Sequence, residues 1–145
     1  MRENVKRVVI SVILFVAVLL VFTRIDYLIH HEPYENGLVY DDSWFWTSQV
    51  VYMLMYQLAI IMLYLYSESK RLFIIFEAFV WTGGMDLIGY FLVWNGGVLP
   101  NPQTIWTWNI LHYLFGFPWN IYWNITFTTL GTLSAFYYAY HHIEK

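Results

Sequence analysis

The fold class is decided by residues 2–22, RENVKRVVISVILFVAVLLVF, in which three basic side chains precede a long apolar run. Taken as residues 8–28, this run is long enough to cross about 30 Å of hydrocarbon as a helix. Three further runs of similar length follow at residues 43–67, 72–94 and 119–140. The sequence therefore predicts an all-α polytopic membrane protein with four transmembrane helices.

Arginine and lysine are distributed unevenly between the two ends of these helices. If residue 1 is cytoplasmic, the outer segments hold one basic side chain, Arg24. The inner segments hold the other six, which are Arg2, Lys6, Arg7, Lys70, Arg71 and Lys145. Cytoplasmic loops of membrane proteins carry such an excess. We therefore expect both termini and residues 67–71 to be cytoplasmic, and residues 33–42 and 95–102 to be external.

Composition supports this interpretation. The 145 residues are 59% hydrophobic, 22% aromatic and only 12% charged, which is too much apolar surface for one small water-soluble core. We expect a single transmembrane helical domain, residues 1–145, in the cell membrane and in contact with the lipid bilayer. The net charge of -3 argues against nucleic-acid partners. The absence of cysteine excludes disulfides and thiolate metal sites, and no cofactor is expected.

The segment between the third and fourth helices combines turn residues with apolar side chains. Its glycines and prolines are typical of turns, but Ile105, Trp106 and Leu111 are too apolar for a free loop. An interfacial or re-entrant helix over residues 103–114 would account for both features.

Two carboxyl side chains fall inside the third predicted span, and such residues are costly to keep in a membrane without a use. Glu77 lies near the inner end of the third helix, where we expect it to reach the interface or to meet Lys70 and Arg71. Asp86 lies deeper, and its short side chain cannot extend to the headgroup region. Asp86 is therefore the candidate polar centre.

Several polar side chains are predicted to lie around Asp86. Thr82 and Tyr90 are four residues before and after it, on one face of a continuous helix. The fourth helix carries a polar stripe at every fourth position, formed by Asn120, Asn124, Thr128 and Thr132. Asp86 and Thr128 are predicted at similar depth and could meet. The alternative role of the stripe is structural, as interhelical hydrogen bonds of about 0.6 kcal/mol each.

A second group of potential ligands lies on the outer side. Asp26 and His30 are one helical turn apart, a spacing that suits zinc or copper. The same side holds His31, Glu32, Asp41, Asp42 and His112. Because no further motif with metal-ligand spacing accompanies them, we expect no tight metal site here.

Two short motifs are similar to those of a known family. MDLIG at residues 85–89 contains D-x-x-G, and GFPWN at residues 116–120 resembles the start of G-x-P-x-E-E. Together they resemble the lycopene cyclase domain of the small heterodimeric carotenoid cyclases, over roughly residues 79–140. The resemblance implies isomerase chemistry, in which an acid protonates a polyene. Asn120 and Ile121 stand at the positions of the family's acidic pair, so Asp86 alone matches a family acid.

These patterns lead to two functional hypotheses. In the first, a polar intramembrane pocket around Asp86 binds an isoprenoid or lipid-like ligand. Tyr90, Trp119 and Trp123 would form its aromatic walls. If the protein is an enzyme, Asp86 would act as general acid or carbocation stabiliser. The remaining ligand-binding candidates are Thr82, Asn120, Asn124 and Thr128. In the second, the chain is a noncatalytic accessory subunit of a respiratory or oxygenase-type membrane complex. Either hypothesis predicts a homo- or hetero-oligomer.

Overall fold

A computed structural model describes residues 3–26, 28, 42–88 and 116–143, and all the regular elements within them are α-helices. They are α1 (Glu3–Asp26), α2 (Asp42–Ser67), α3 (Lys70–Trp81), α4 (Gly84–Ile88) and α5 (Ile121–His142). The expected interfacial helix at residues 103–114 lies outside the described residues, as does Tyr90. The prediction of an all-α chain is thus confirmed for the described residues.

The third predicted span is not one continuous helix. The prediction of an unbroken helix from residue 72 was wrong, because α3 ends at Trp81 and α4 begins at Gly84. The interruption is formed by Thr82, which caps α3, and by Gly83, whose φ of 96° is left-handed. Glycine takes this conformation without the steric cost that a Cβ imposes, so it ends helices readily. Thr82 therefore does not share a continuous helical face with Asp86.

The other predicted spans correspond closely to helices. α1 begins five residues before residue 8, α2 covers residues 43–67, and α5 begins at Ile121, so Trp119 and Asn120 precede it. Two described helices are long and apolar enough to cross a bilayer: Asn4–Ile25 and Val50–Ser67, with mean hydropathies of 2.9 and 1.7.

An apolar core joins α1, α2 and α3. The rings of Phe15 and Phe76 stack with centroids 3.9 Å apart, and Ile60 is only 1% exposed. The buried side chains recur at intervals of three or four residues, as a helix face requires. We call this group the apolar core, and its buried members are Phe15, Leu19, Tyr56, Ile60, Leu63, Phe76 and Val80.

Beside the apolar core, the bundle buries several polar side chains and exposes many large aliphatic ones. Ser11 and Asn124 are fully buried, whereas Ile13 and Leu130 are each 61% exposed. Water-soluble proteins bury large aliphatic side chains and expose polar ones. An outer surface of this kind suits contact with lipid.

The basic segments meet at one end of the bundle. Arg7, near the start of α1, lies 3.4 Å from Glu68 in the turn after α2. Arg71, at the start of α3, donates two hydrogen bonds, of 3.2 and 2.9 Å, to the carbonyl oxygen of Ile143 just beyond α5. Three segments that were expected to share the cytoplasmic side therefore lie together, and which face of the membrane they occupy stays a prediction.

Candidate functional site

Side chains of α5 donate hydrogen bonds to two backbone carbonyl groups at the interruption between α3 and α4. One of these groups, the Gly83 carbonyl, is also paired within the chain, because it accepts the backbone N–H of Leu87 at 3.0 Å. The hydroxyl of Thr128 donates a hydrogen bond of 2.9 Å to the carbonyl oxygen of Thr82. The amide of Asn124 donates one of 3.2 Å to the carbonyl oxygen of Gly83. Asn124 is fully buried and Thr128 is 4% exposed, so water does not compete for either bond. These two members of the predicted polar stripe hold the break together.

Close backbone approach accompanies these hydrogen bonds. A Cβ placed on Gly83 would lie 2.5 Å from Nδ2 of Asn124, and one on Gly131 would lie 2.3 Å from Cγ2 of Thr82. Neither distance is tolerable for a real Cβ, so α5 packs against the break only because both positions are glycine. Gly131 was not among the predicted site residues, although small residues at helix contacts are a recognisable signal. We call this contact the polar seam, formed by Thr82, Gly83, Asn124, Thr128 and Gly131.

Asp86 lies in the first turn of α4, directly after the break, and is half-buried. α4 packs against both α1 and α5, and its Leu87 contacts the cluster around Trp119 and Ile121. Asp86 therefore follows the polar seam by three residues. The hydrogen bond that the structure gives for the Thr128 hydroxyl goes to the backbone carbonyl of Thr82. The expectation that Thr128 and Asp86 meet directly remains a prediction.

An aromatic cluster stands beside α4 at the start of α5. Phe117 contacts Trp119 and Trp123, with ring centroids 6.1 and 5.1 Å apart, and Phe127 contacts both tryptophans. Trp119 is 3% exposed, while Trp123 is 41% exposed. Two of the predicted aromatic walls are therefore adjacent, and the third, Tyr90, lies outside the described residues.

Two buried polar atoms near this cluster have no hydrogen-bond partner within the described part of the chain. They are Nε1 of Trp119, a donor, and Oδ1 of Asn124, an acceptor. Buried polar atoms in native proteins are nearly always paired with protein, water or ligand. The described part of the site thus leaves one donor and one acceptor unused.

Asn120 has a structural role. Its side-chain oxygen accepts hydrogen bonds of 3.0 and 3.2 Å from the backbone N–H groups of Tyr122 and Trp123. This is the N-cap arrangement, which satisfies donors that the first helical turn leaves unpaired. The carboxamide oxygen is therefore already used in starting α5.

Glu77 is hydrogen-bonded to Gln57 and Trp81 rather than to the basic residues that the sequence suggested, Lys70 and Arg71. Its Oε2 accepts hydrogen bonds of 2.9 Å from Nε2 of Gln57 and 3.0 Å from Nε1 of Trp81. In place of the expected contact with Lys70 or Arg71, the structure shows a link between α2 and α3. The alternative expectation, that Glu77 reaches the interface, stays a prediction. Gln57 was overlooked, and the available signal was the single amide side chain within the apolar run at residues 50–66.

The outer histidine and aspartate group lies almost wholly outside the described residues. His30, His31, Asp41 and His112 lie outside the described residues, and only the backbone of Asp26 and Asp42 is described. Among the residues that are described, no three His, Asp or Glu side chains gather as a metal site. The expectation of no tight metal site there stays a prediction.

The chain was compared with models of protein families, with curated proteins and with solved structures, and nothing matches it.

Proposed function

We propose that this chain is a multi-pass protein of the cell membrane with four spans, and that its interrupted third span forms a polar site around Asp86 for an isoprenoid or lipid-like ligand. The observation that carries the proposal is the break at Thr82 and Gly83, whose carbonyls are both bonded by buried side chains of α5. Helix breaks at membrane depth persist where the protein satisfies the freed groups, and in transporters they mark binding sites.

The lengths of the helices support four crossings. α3 and α4 together cover residues 70–88, about 28 Å at 1.5 Å per residue. α5 has 22 residues, about 33 Å, and contains no Asp, Glu, Lys or Arg. Both lengths are near the thickness of the hydrocarbon core. Charge asymmetry supports an orientation with the basic end in the cytoplasm.

The surroundings of Asp86 support a hydrophobic ligand. The rings of Phe117, Trp119 and Trp123 offer apolar faces beside α4. Nε1 of Trp119 and Oδ1 of Asn124, which have no partner among the described residues, would recognise a polar end group. Pockets for such ligands are mostly apolar with a few placed polar groups.

If the protein is a catalyst, Asp86 is its acid. The Asp86 carboxyl group would transfer its proton to a terminal alkene carbon of a polyene, and a second double bond of the same molecule would attack the carbocation and close a ring. The cyclic cation would then lose a proton from a neighbouring carbon to the Asp86 carboxylate, which restores the acid. The net reaction is an isomerisation that needs no oxidant or cofactor. Aromatic faces near the cation would stabilise it. The resemblance to carotenoid cyclases implies this chemistry.

The test is expression in a host that accumulates an acyclic carotenoid, followed by pigment analysis of purified protein and whole cells. We expect a hydrophobic compound to copurify and a cyclised product to appear. Asp86→Asn keeps the shape of the side chain but removes its acidic proton, so product should fall by about a hundredfold or more while the ligand is retained.

Glu77→Gln is the matched control, since it also neutralises a carboxyl group within the third span. Its product yield should stay within about twofold of the wild-type yield. Full activity of Asp86→Asn, with loss only in Asp86→Leu, would reduce Asp86 to a packing role. A wild-type protein with neither copurifying ligand nor product would contradict the ligand site.

The second candidate, a noncatalytic subunit of a respiratory or oxygenase-type complex, is supported by a different observation. The outward face of α5 is broad and rich in exposed aromatic and aliphatic residues, with Tyr122, Leu133 and Tyr137 each at least 60% exposed. Such a face suits a helix of another subunit. Native mass measurement after gentle solubilisation would show stoichiometric partner chains if this candidate is correct.

A further inference from the structure

A cleft of about 550 Å³ opens at the basic end of the bundle, between the start of α3 and the end of α5. One part of its lining carries cationic or hydrogen-bonding side chains, and the other part is apolar. The lining residues are Tyr64, Lys70, Phe73, Ile74, His142 and Ile143. It lies at the opposite end of α3 from the break that precedes Asp86.

Arg71 holds the walls of this cleft together. Its guanidinium donates both hydrogen bonds to the Ile143 carbonyl and lies 5.0 Å from the ring centroid of Tyr140. The end of α5 is thereby fixed against the start of α3. Because the Ile143 carbonyl oxygen accepts both hydrogen bonds from the positively charged Arg71, its partial negative charge is neutralised and would not repel an anion in the cleft.

The electrostatics of the cleft favour an anion. Lys70 is exposed at the first position of α3, where the helix dipole adds positive potential. Glu68, the nearest described carboxylate along the chain, is paired with Arg7. The imidazole of His142 can donate a hydrogen bond in either protonation state. An anion here would meet two donors.

The apolar part of the lining indicates which kind of anion. Phe73 and Ile74 are half-buried and lie one turn along α3 from Lys70, further from the basic end. A free phosphate ion gains nothing from such surface, whereas a phospholipid has acyl chains that extend in that direction. Basic pockets between spans on the cytoplasmic side are known to bind anionic headgroups.

We propose that this cleft binds an anionic phospholipid, with the phosphodiester at Lys70 and His142 and an acyl chain along Phe73 and Ile74. The inference depends on the membrane orientation in the proposed function, which places this end at the anionic inner leaflet. It shares no residue with the site at Asp86.

The experiment is native mass spectrometry of the full-length protein in neutral detergent, titrated with phosphatidylglycerol or phosphatidylcholine. We expect retained phosphatidylglycerol and at least tenfold weaker phosphatidylcholine binding. Lys70→Gln should weaken phosphatidylglycerol binding about fivefold, Lys70→Arg should restore it, and combining Lys70→Gln with His142→Gln should weaken it further.

Lys6→Gln is the matched control, because Lys6 is an exposed lysine of α1 that does not line the cleft. Its binding should stay within twofold of the wild-type value. Equal binding of the two lipids, an equal loss in Lys6→Gln, or displacement of phosphatidylglycerol by millimolar inorganic phosphate would overturn the inference. Asp86→Asn should bind phosphatidylglycerol normally, so failure here is distinguishable from failure of the Asp86 proposal.

Discussion

The apolar core and the polar seam join α3 to its neighbours by different physics. In the apolar core, Phe15, Ile60 and Val80 pack through close van der Waals contact. In the polar seam, Asn124 and Thr128 donate hydrogen bonds to backbone carbonyls. Against lipid, apolar contact gains only from packing quality, because lipid tails are equally apolar. The core therefore fixes which helices are neighbours, while the seam fixes where α5 lies along the broken helix.

Gly83→Ala should give the largest loss, because it damages the seam in two ways. The left-handed backbone costs a non-glycine residue about 1–2 kcal/mol, and the added Cβ at 2.5 Å from Asn124 Nδ2 adds about 1–3 kcal/mol of overpacking. The free energy of unfolding, measured by denaturant titration in mixed micelles, should therefore fall by about 2–5 kcal/mol.

Gly116→Ala separates the two costs. Gly116 also has a positive φ, of 65°, but a Cβ there meets none of the described residues within 4 Å. This variant should lose only the backbone part, about 1–2 kcal/mol. Equal losses at the two glycines would mean that close approach of α5 to the break is unimportant.

Ile60→Ala tests the apolar core. Removing a buried side chain that is 1% exposed leaves a cavity, and we expect a loss of roughly 2 kcal/mol, at the low end of the usual range because the exterior is lipid. Ile61→Ala is the control on the same helix, since Ile61 is 42% exposed. Comparable losses at both positions in detergent unfolding would argue that α2 does not face α1 and α3 as described.

Thr128→Val should give the smallest effect, about 0.6 kcal/mol and at most about 1.7 kcal/mol, because it removes one interhelical hydrogen bond while keeping the shape. Thr126→Val is the matched control: Thr126 is exposed and its hydroxyl bonds only within α5, to the Tyr122 carbonyl at 2.7 Å. The same unfolding assay should show no loss in the control. A larger loss at Thr126 would remove the distinction between the seam and the lipid face.

The sequence predicted the helices and the buried stripe because each depends on local pattern. Apolar length predicts α1 and α2, and the four-residue spacing of Asn124 and Thr128 predicts that both face one neighbour. The break was missed because Gly83 and Gly84 are compatible with close packing inside a continuous helix as well as with a left-handed turn. Local sequence does not distinguish these two outcomes.

The contact between Gln57 and Glu77 was missed for another reason. Gln57 and Glu77 are 20 positions apart in the sequence. Whether they meet depends on how α2 and α3 are rotated about their axes. That rotation follows from packing across the whole apolar core. The Arg71 bond to Ile143 is non-local in the same way.

The central claim, four crossings with an interrupted third span, is tested most directly by single-cysteine labelling of the otherwise cysteine-free chain. Ser69→Cys and Asn101→Cys would each be treated with a membrane-impermeant maleimide on intact cells and on permeabilised cells. We predict that position 101 labels on intact cells and that position 69 labels only after permeabilisation. If both positions label only after permeabilisation, the chain crosses twice, through α1 and α2 alone, and the account of the third span is contradicted.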